Sequence, residues 1–144
     1  MISVKWLVIS GCMENKRLEA LAEGWIGYWL APYNSPERAA YDWVTDQVYD
    51  LTYEEDPELL WQLVLAVHRR DRSIQIMQVL SAGPLEDLLA RHGERFIVLV
   101  EVEARRDPTF ASLLGGVWKN AMSDAIWERV QGVWDRRGWD GISQ

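Results

Sequence analysis

Residues 81–130, SAGPLEDLLARHGERFIVLVEVEARRDPTFASLLGGVWKNAMSDAIWERV, contain three helix starts. Gly83-Pro84 opens the first, with Leu85, Leu88 and Leu89 at helical spacing, and His92-Gly93 is expected to close it with glycine in the left-handed conformation. Asp107-Pro108 opens the second, with Phe110, Leu113, Leu114, Val117 and Trp118 facing inward. Ser123 caps the third, which carries Ile126, Trp127, Val130, Val133 and Trp134 on one face and ends at Gly138. In each case a side-chain oxygen can accept an unpaired N–H of the first turn, or a proline takes the one helical position that needs no donor. The run Phe96–Val102, FIVLVEV, is β-branched and ends in alternation, which by itself favours a strand. It leads directly into Glu103-Ala104-Arg105-Arg106, and only Val4–Ile9 is available to pair with it, so it reads as helix.

The same punctuation extends toward the N-terminus. Leu18, Leu21, Ala22, Trp25, Ile26, Trp29 and Leu30 fall three and four apart, describing one helix face that Pro32-Tyr33-Asn34 ends. Ser35-Pro36-Glu37 starts a helix lined by Ala40, Trp43, Val44, Val48 and Leu51. Asp56-Pro57-Glu58 starts another through Leu59, Leu60, Leu63, Val64 and Val67. Helices of this length with short turns pack as antiparallel neighbours. The strings DPELLWQLVLAV and DPTFASLLGGVW, 51 residues apart, are compatible with two related helical-hairpin units. The expected fold is therefore all-α, either a compact multi-helix bundle or a short HEAT-like stack of helical hairpins.

A chain of 144 residues, 49% apolar, can enclose one core, and residues 13–144 are read as a single helical domain. Residues 1–12 are read as an extension outside it, either a short strand or a start assigned too early. Ile9-Ser10-Gly11-Cys12 formally matches a lipoprotein cleavage site, but the apolar run before it is too short for a secretory signal. No stretch approaches the length of a membrane span. The lone Cys12 cannot form an internal disulfide and suits the cytoplasm. A net charge of −7 disfavours nucleic acid and favours a basic or neutral partner. Arg69, Arg70 and Arg72, and the pairs Arg105-Arg106 and Arg136-Arg137, fall late in expected helices, where cations offset the dipole. The nine tryptophans each bring about 200 Å² of mostly apolar surface and an N–H that needs an acceptor.

Candidate chemistry is sparse, and no catalytic residue, metal ligand or cofactor is expected. Glu86 and Asp87 form a carboxylate pair, yet both sit in a first helical turn where acids are stabilising. Glu54, Glu55 and Asp56 lack the spacing and glycine turn of a calcium loop. His68 and His92 stand 24 residues apart without a cysteine cluster or an HExxH string. Gly115-Gly116 lacks the surrounding pattern of a phosphate loop and reads as a place of close packing. Trp118, Asn120, Trp127 and Arg129 gather aromatic, amide and guanidinium groups at one expected corner, and Tyr28 runs past the buried face of its helix. These five make the expected interaction surface. The alternative is a pocket near Trp118 and Trp127 lined by Glu86, Asp87, Arg91 and His92.

With GPLEDLLARHG, RRDP, LGGVWKNAM and DAIWERVQ, the chain resembles a bacterial family catalogued as domain of unknown function 6869, from about Leu18 to Gln131. The resemblance implies a small helical protein and transfers no catalytic residue; residues 1–12 lie outside it. The expected function is an acidic helical interaction module of immunity or adaptor type. The rival is a small-molecule-binding or enzymatic protein with an inter-helix pocket. A third reading, a self-associating subunit, requires an apolar face paired across a two-fold axis.

Overall fold

The structure, a computed structural model, describes residues 4–54 and 56–139, with side chains from residue 14 onward. It is all-α: α1 (Val4–Leu30), α2 (Pro36–Ala39), α3 (Asp42–Tyr53), α4 (Pro57–Arg70), α5 (Ile74–Leu80), a π-helical turn (Ser81–Leu85), α6 (Glu86–Arg106), α7 (Pro108–Leu114) and α8 (Asp124–Gln131). No strand occurs among the described residues. The Phe96–Val102 run is helical, as its context indicated. Val4–Ile9, weighed as a strand, is instead the first part of α1, which continues unbroken across position 12. The side chains of the lipoprotein-like string, Cys12 included, lie outside the described residues.

Four helices begin as the sequence dictates. The Ser35 hydroxyl accepts from Arg38 N–H, Asp56 from Leu59 N–H, Asp107 from Thr109 N–H and Ser123 from Ile126 N–H. Each of these supplies an acceptor for a first-turn donor, worth about 1 kcal/mol at such a position. A fifth cap escaped the sequence reading. Ser73 accepts from Ile76 N–H and starts α5, a seven-residue helix too short to show a clear period.

Three expected features of the helix boundaries differ. The helix expected from Pro36 to Leu51 is broken at Ala40-Tyr41, which leaves Ala40 and Trp43 exposed while Val44 and Leu51 are buried. The break lets the Tyr41 ring lie over Gly27 and the Trp43 ring over Gly24, where a Cβ would collide with either ring. The helix start expected at Gly83-Pro84 is instead bridged by the π turn, which carries Pro84 inside a continuous helical path from α5 into α6. Proline lacks the N–H that a regular turn would use, and one wider turn absorbs that loss. At the stop expected at His92-Gly93, His92 leaves helical geometry (φ −133°, ψ 28°) and α6 kinks without ending. Gly93 does not take a left-handed conformation; its bare Cα admits Ile126 of α8.

α4 is central, packing on α1, α3 and α6, with Leu60, Trp61, Leu63, Val64 and Val67 buried. Trp61 meets Phe110 edge-on at 5.8 Å and Phe96 at 6.4 Å. The two Asp-Pro strings thus mark two capped helix starts, one of 14 residues and one of seven. Beyond α8 the chain folds back: Trp139 is buried and donates from Nε1 to Ser112 O at 2.7 Å. A Cβ at Gly116 would lie 2.5 Å from Ser81 Oγ, and one at Gly115 would overlap the Asp135 carbonyl, so the glycine pair serves close packing. α8 ends at Gln131, before Val133 and Trp134. Gly138 takes φ 89° in the turn ahead of Trp139.

Candidate functional site

The residues singled out from sequence fall in three places. α7 stops at Gly115, so Trp118 is not on its inward face; it sits in the following loop, 45% exposed. That loop is held by Glu86, whose carboxylate accepts from Trp118 N–H at 3.0 Å and Asn120 Nδ2 at 3.2 Å. Asn120 turns the loop with φ 46°, a conformation asparagine tolerates. Burial pushes the Glu86 carboxyl above its ordinary pKa, and the two donors hold the rise back. Burial likewise raises Asp87, with Arg91 opposing. Lys119 pairs with Asp124 beside the corner.

Trp127 and Arg129 point to other partners. The Trp127 ring is half-buried edge-on against Trp134 at 5.2 Å, and Arg129 pairs with Glu101. Hydrogen bonding from Arg129 holds the Glu101 carboxyl below its ordinary pKa. Tyr28 lies at the end of α1 against Trp29. The Arg38 guanidinium stacks on it at 4.9 Å and donates to its carbonyl. The corner therefore unites Trp118, Asn120 and Glu86, one set of sequence candidates with a member of the other.

The alternative pocket divides. Arg91 and His92 line an open groove of about 360 Å³ at the α6 kink, together with Arg95 and Ser123, whereas Glu86 and Asp87 do not line it. Its cations are engaged: Arg91 stacks on Tyr53 at 4.7 Å and Arg95 pairs with Glu58. Among the described residues no group of three or more His, Cys, Asp and Glu could hold a metal ion.

Two features were not read from sequence. The first is the outer face of α3. Asp42, Asp46, Asp50 and Glu54 recur every four residues, all exposed, and none forms an ion pair among the described residues. Like charges four apart on a helix repel, costing about 0.2–0.5 kcal/mol per pair. Asp42 recovers this at the positive helix end, but Asp46, Asp50 and Glu54 do not. Beside the acids stand Tyr49 (61% exposed), Tyr53 and Trp43 (46% each), with the Tyr49 and Tyr53 rings 4.5 Å apart. The four-residue spacing was visible in DWVTDQVYDLTYEE; its exposure depended on which way α3 would turn.

The second is His68, buried at the end of α4. Neither ring nitrogen has a hydrogen-bond partner among the described residues; Nε2 stands 3.8 Å from Asp107 Oδ2, and the ring meets Phe110 edge-on. Arg72 clamps the surroundings, donating to His68 O, Thr109 Oγ1 and Asp107 Oδ2. Desolvation lowers the His68 pKa, with help from Arg72 and against Asp107 and Glu103. Burial alone would raise Asp107, but the Thr109 backbone and hydroxyl, Arg72 and His68 bring it below its ordinary value. The cluster joins the end of α4 to the start of α7.

No helix among the described residues is long and apolar enough to cross a membrane. No curated protein and no solved structure matches the chain. Residues 31–138, covering the α3 face, the Glu86 corner and the His68 joint, match a family of unknown function, and the chain belongs to that family, DUF6869.

Proposed function

We propose that this protein is an interaction module of adaptor or immunity type, working in the cytoplasm, whose α3 face receives a basic protein partner. The observation that carries this reading is the unpaired acidic row of α3 flanked by three exposed aromatic rings. Unneutralised acids in a helix raise the free energy of the isolated protein, and cations from a partner relieve that repulsion. Tyrosine and tryptophan supply large contact area with few torsions to freeze, the usual make-up of binding hot spots. A net charge of −7 steers a cationic partner toward the docked orientation. Trp118 and Asn120, on the Glu86 corner, are proposed as a second contact area. Tyr28, Trp127 and Arg129 are already engaged within the chain and support it. The small-molecule reading rests on the groove at the α6 kink, where Arg91 and Arg95 have partners of their own.

The test is affinity capture from the source cells with the wild type and with an Asp46→Lys/Tyr49→Ala double variant, at about 50 and 300 mM salt. The expected result is a stoichiometric basic protein retained by the wild type at low salt and lost with either change. Retention unaffected by the variant would remove α3 from the interface.

A further inference from the structure

The post-kink part of α6 presents a second face that the other described residues leave uncovered. Val98 (55% exposed), Leu99 (47%) and Val102 (53%) are contiguous on the helix surface, opposite the buried Phe96, Ile97 and Val100. β-Branched residues weaken a helix unless packing compensates, so three apolar side chains in solvent at i, i+1 and i+4 lack an intramolecular reason. The charges along this face have an order of their own. Glu94 lies one turn before the apolar patch and Arg105 one turn after, on the same edge of the helix. Neither forms a salt bridge among the described residues; Arg105 feels Glu101 one turn back only as a nearby charge, because Glu101 is already paired with Arg129. On the other edge, Arg95 and Arg106 are neutralised within the chain by Glu58 and Glu103.

We infer that this face is a self-association surface, on which the α6 helices of two copies pack antiparallel about a two-fold axis near Val100. In that register Val98 of each copy meets Val102 of the other, and the two Glu94 carboxylates meet the two Arg105 guanidinium groups. The occupant is a second copy because the pattern is self-complementary. When two antiparallel helices pair, groups on one edge meet the same edge of the partner, so an acid before the patch and a base after it satisfy each other twice. Arg95 and Arg106, which face one another on the opposite edge, carry their own counter-ions. A helix face of this length buries less than the roughly 1,600 Å² of a standard stable interface, so the dimer exchanges with monomer. The inference is independent of the α3 proposal, since it uses another helix and another kind of partner.

Sedimentation equilibrium of the full chain over a wide concentration range reads it out, with circular dichroism confirming that each variant is folded. The wild type is expected to show a concentration-dependent monomer–dimer equilibrium. Leu99→Glu, at an exposed position, weakens it at least about tenfold, equivalent to about 1.4 kcal/mol. Glu94→Arg and Arg105→Glu each weaken association, and the combined E94R/R105E variant restores it, because the swap recreates both pairs in the antiparallel register only. A wild type that remains monomeric at the highest concentration, a dimer indifferent to Leu99→Glu, or a double swap that fails to rescue would each overturn the inference.

Discussion

His68 has the most definite consequence for how this protein responds to its surroundings. Burial places its folded-state pKa below the ordinary value of 6.5, so between the two values the unfolded chain binds more protons than the folded one. Its contribution to stability is complete above pH 6.5 and is lost as pH falls through that window. Chemical denaturation at pH 7.5 and pH 5 should show lower stability in acid, and His68→Gln should flatten that part of the profile. The loss linked to Asp107 belongs to a more acidic range, because its carboxyl lies below the usual Asp value. An unchanged slope in His68→Gln would assign the acid sensitivity elsewhere. The second residue-scale prediction concerns Gly116. An alanine methyl there would press on Ser81 Oγ and the Trp139 ring, so Gly116→Ala should lower stability by about 1–3 kcal/mol, measurable by urea titration. Sequence showed that Gly115-Gly116 served packing; it could not show that the returning C-terminal segment, with Asp135 and Trp139, is what packs there.

At the scale of the helix, α3 and α7 make contrasting predictions. Asp46→Lys removes repulsion with Asp42 and Asp50 and replaces it with two attractions at i,i±4. Thermal unfolding should therefore show a more stable protein, even as the partner captured by the wild type is released. A gain in stability with binding intact would mean that the acidic row is not maintained for docking. Asp107 does the opposite kind of work, capping α7 and receiving Arg72 from beyond α4. Asp107→Ala should cost about 1–2 kcal/mol in denaturant titration, mainly through the lost cap. A change below a few tenths would show that Arg72 and Thr109 hold the joint without it. Helix starts were legible because a cap is local chemistry, a side-chain oxygen three residues from an N–H. Breaks were less so. The Ala40-Tyr41 break depends on glycines in another helix, Gly24 and Gly27, that admit the rings of Tyr41 and Trp43. The continuous path through Pro84 depends on a π turn that no residue pattern announces.

For the whole molecule, a surplus of seven negative charges makes association with a cationic partner dependent on ionic strength: the on-rate should fall as salt rises, while the dissociation rate changes little. Stopped-flow measurement with the captured partner checks this, and an on-rate independent of salt would show that acidity plays no part in docking. The all-α class, the capped helix starts, the helical state of Phe96–Val102 and the packing role of the paired glycines were all determined by the sequence alone. The caps rest on interactions spanning a few residues, the helical class on periodicity, and the helical state of Phe96–Val102 on the run that follows it and the lack of strands to pair with. Tertiary structure decided which faces meet water. It moved Trp118 from an expected core face to an exposed loop on Glu86, separated Tyr28 from Trp127 and Arg129, and turned the acids of α3 and the aliphatic residues of α6 outward. It also enclosed the His68 ring with no hydrogen-bond partner among the described residues. These outcomes depend on how helices distant in sequence pack around α4, and a residue's exposure is set by neighbours that its own stretch of sequence does not contain.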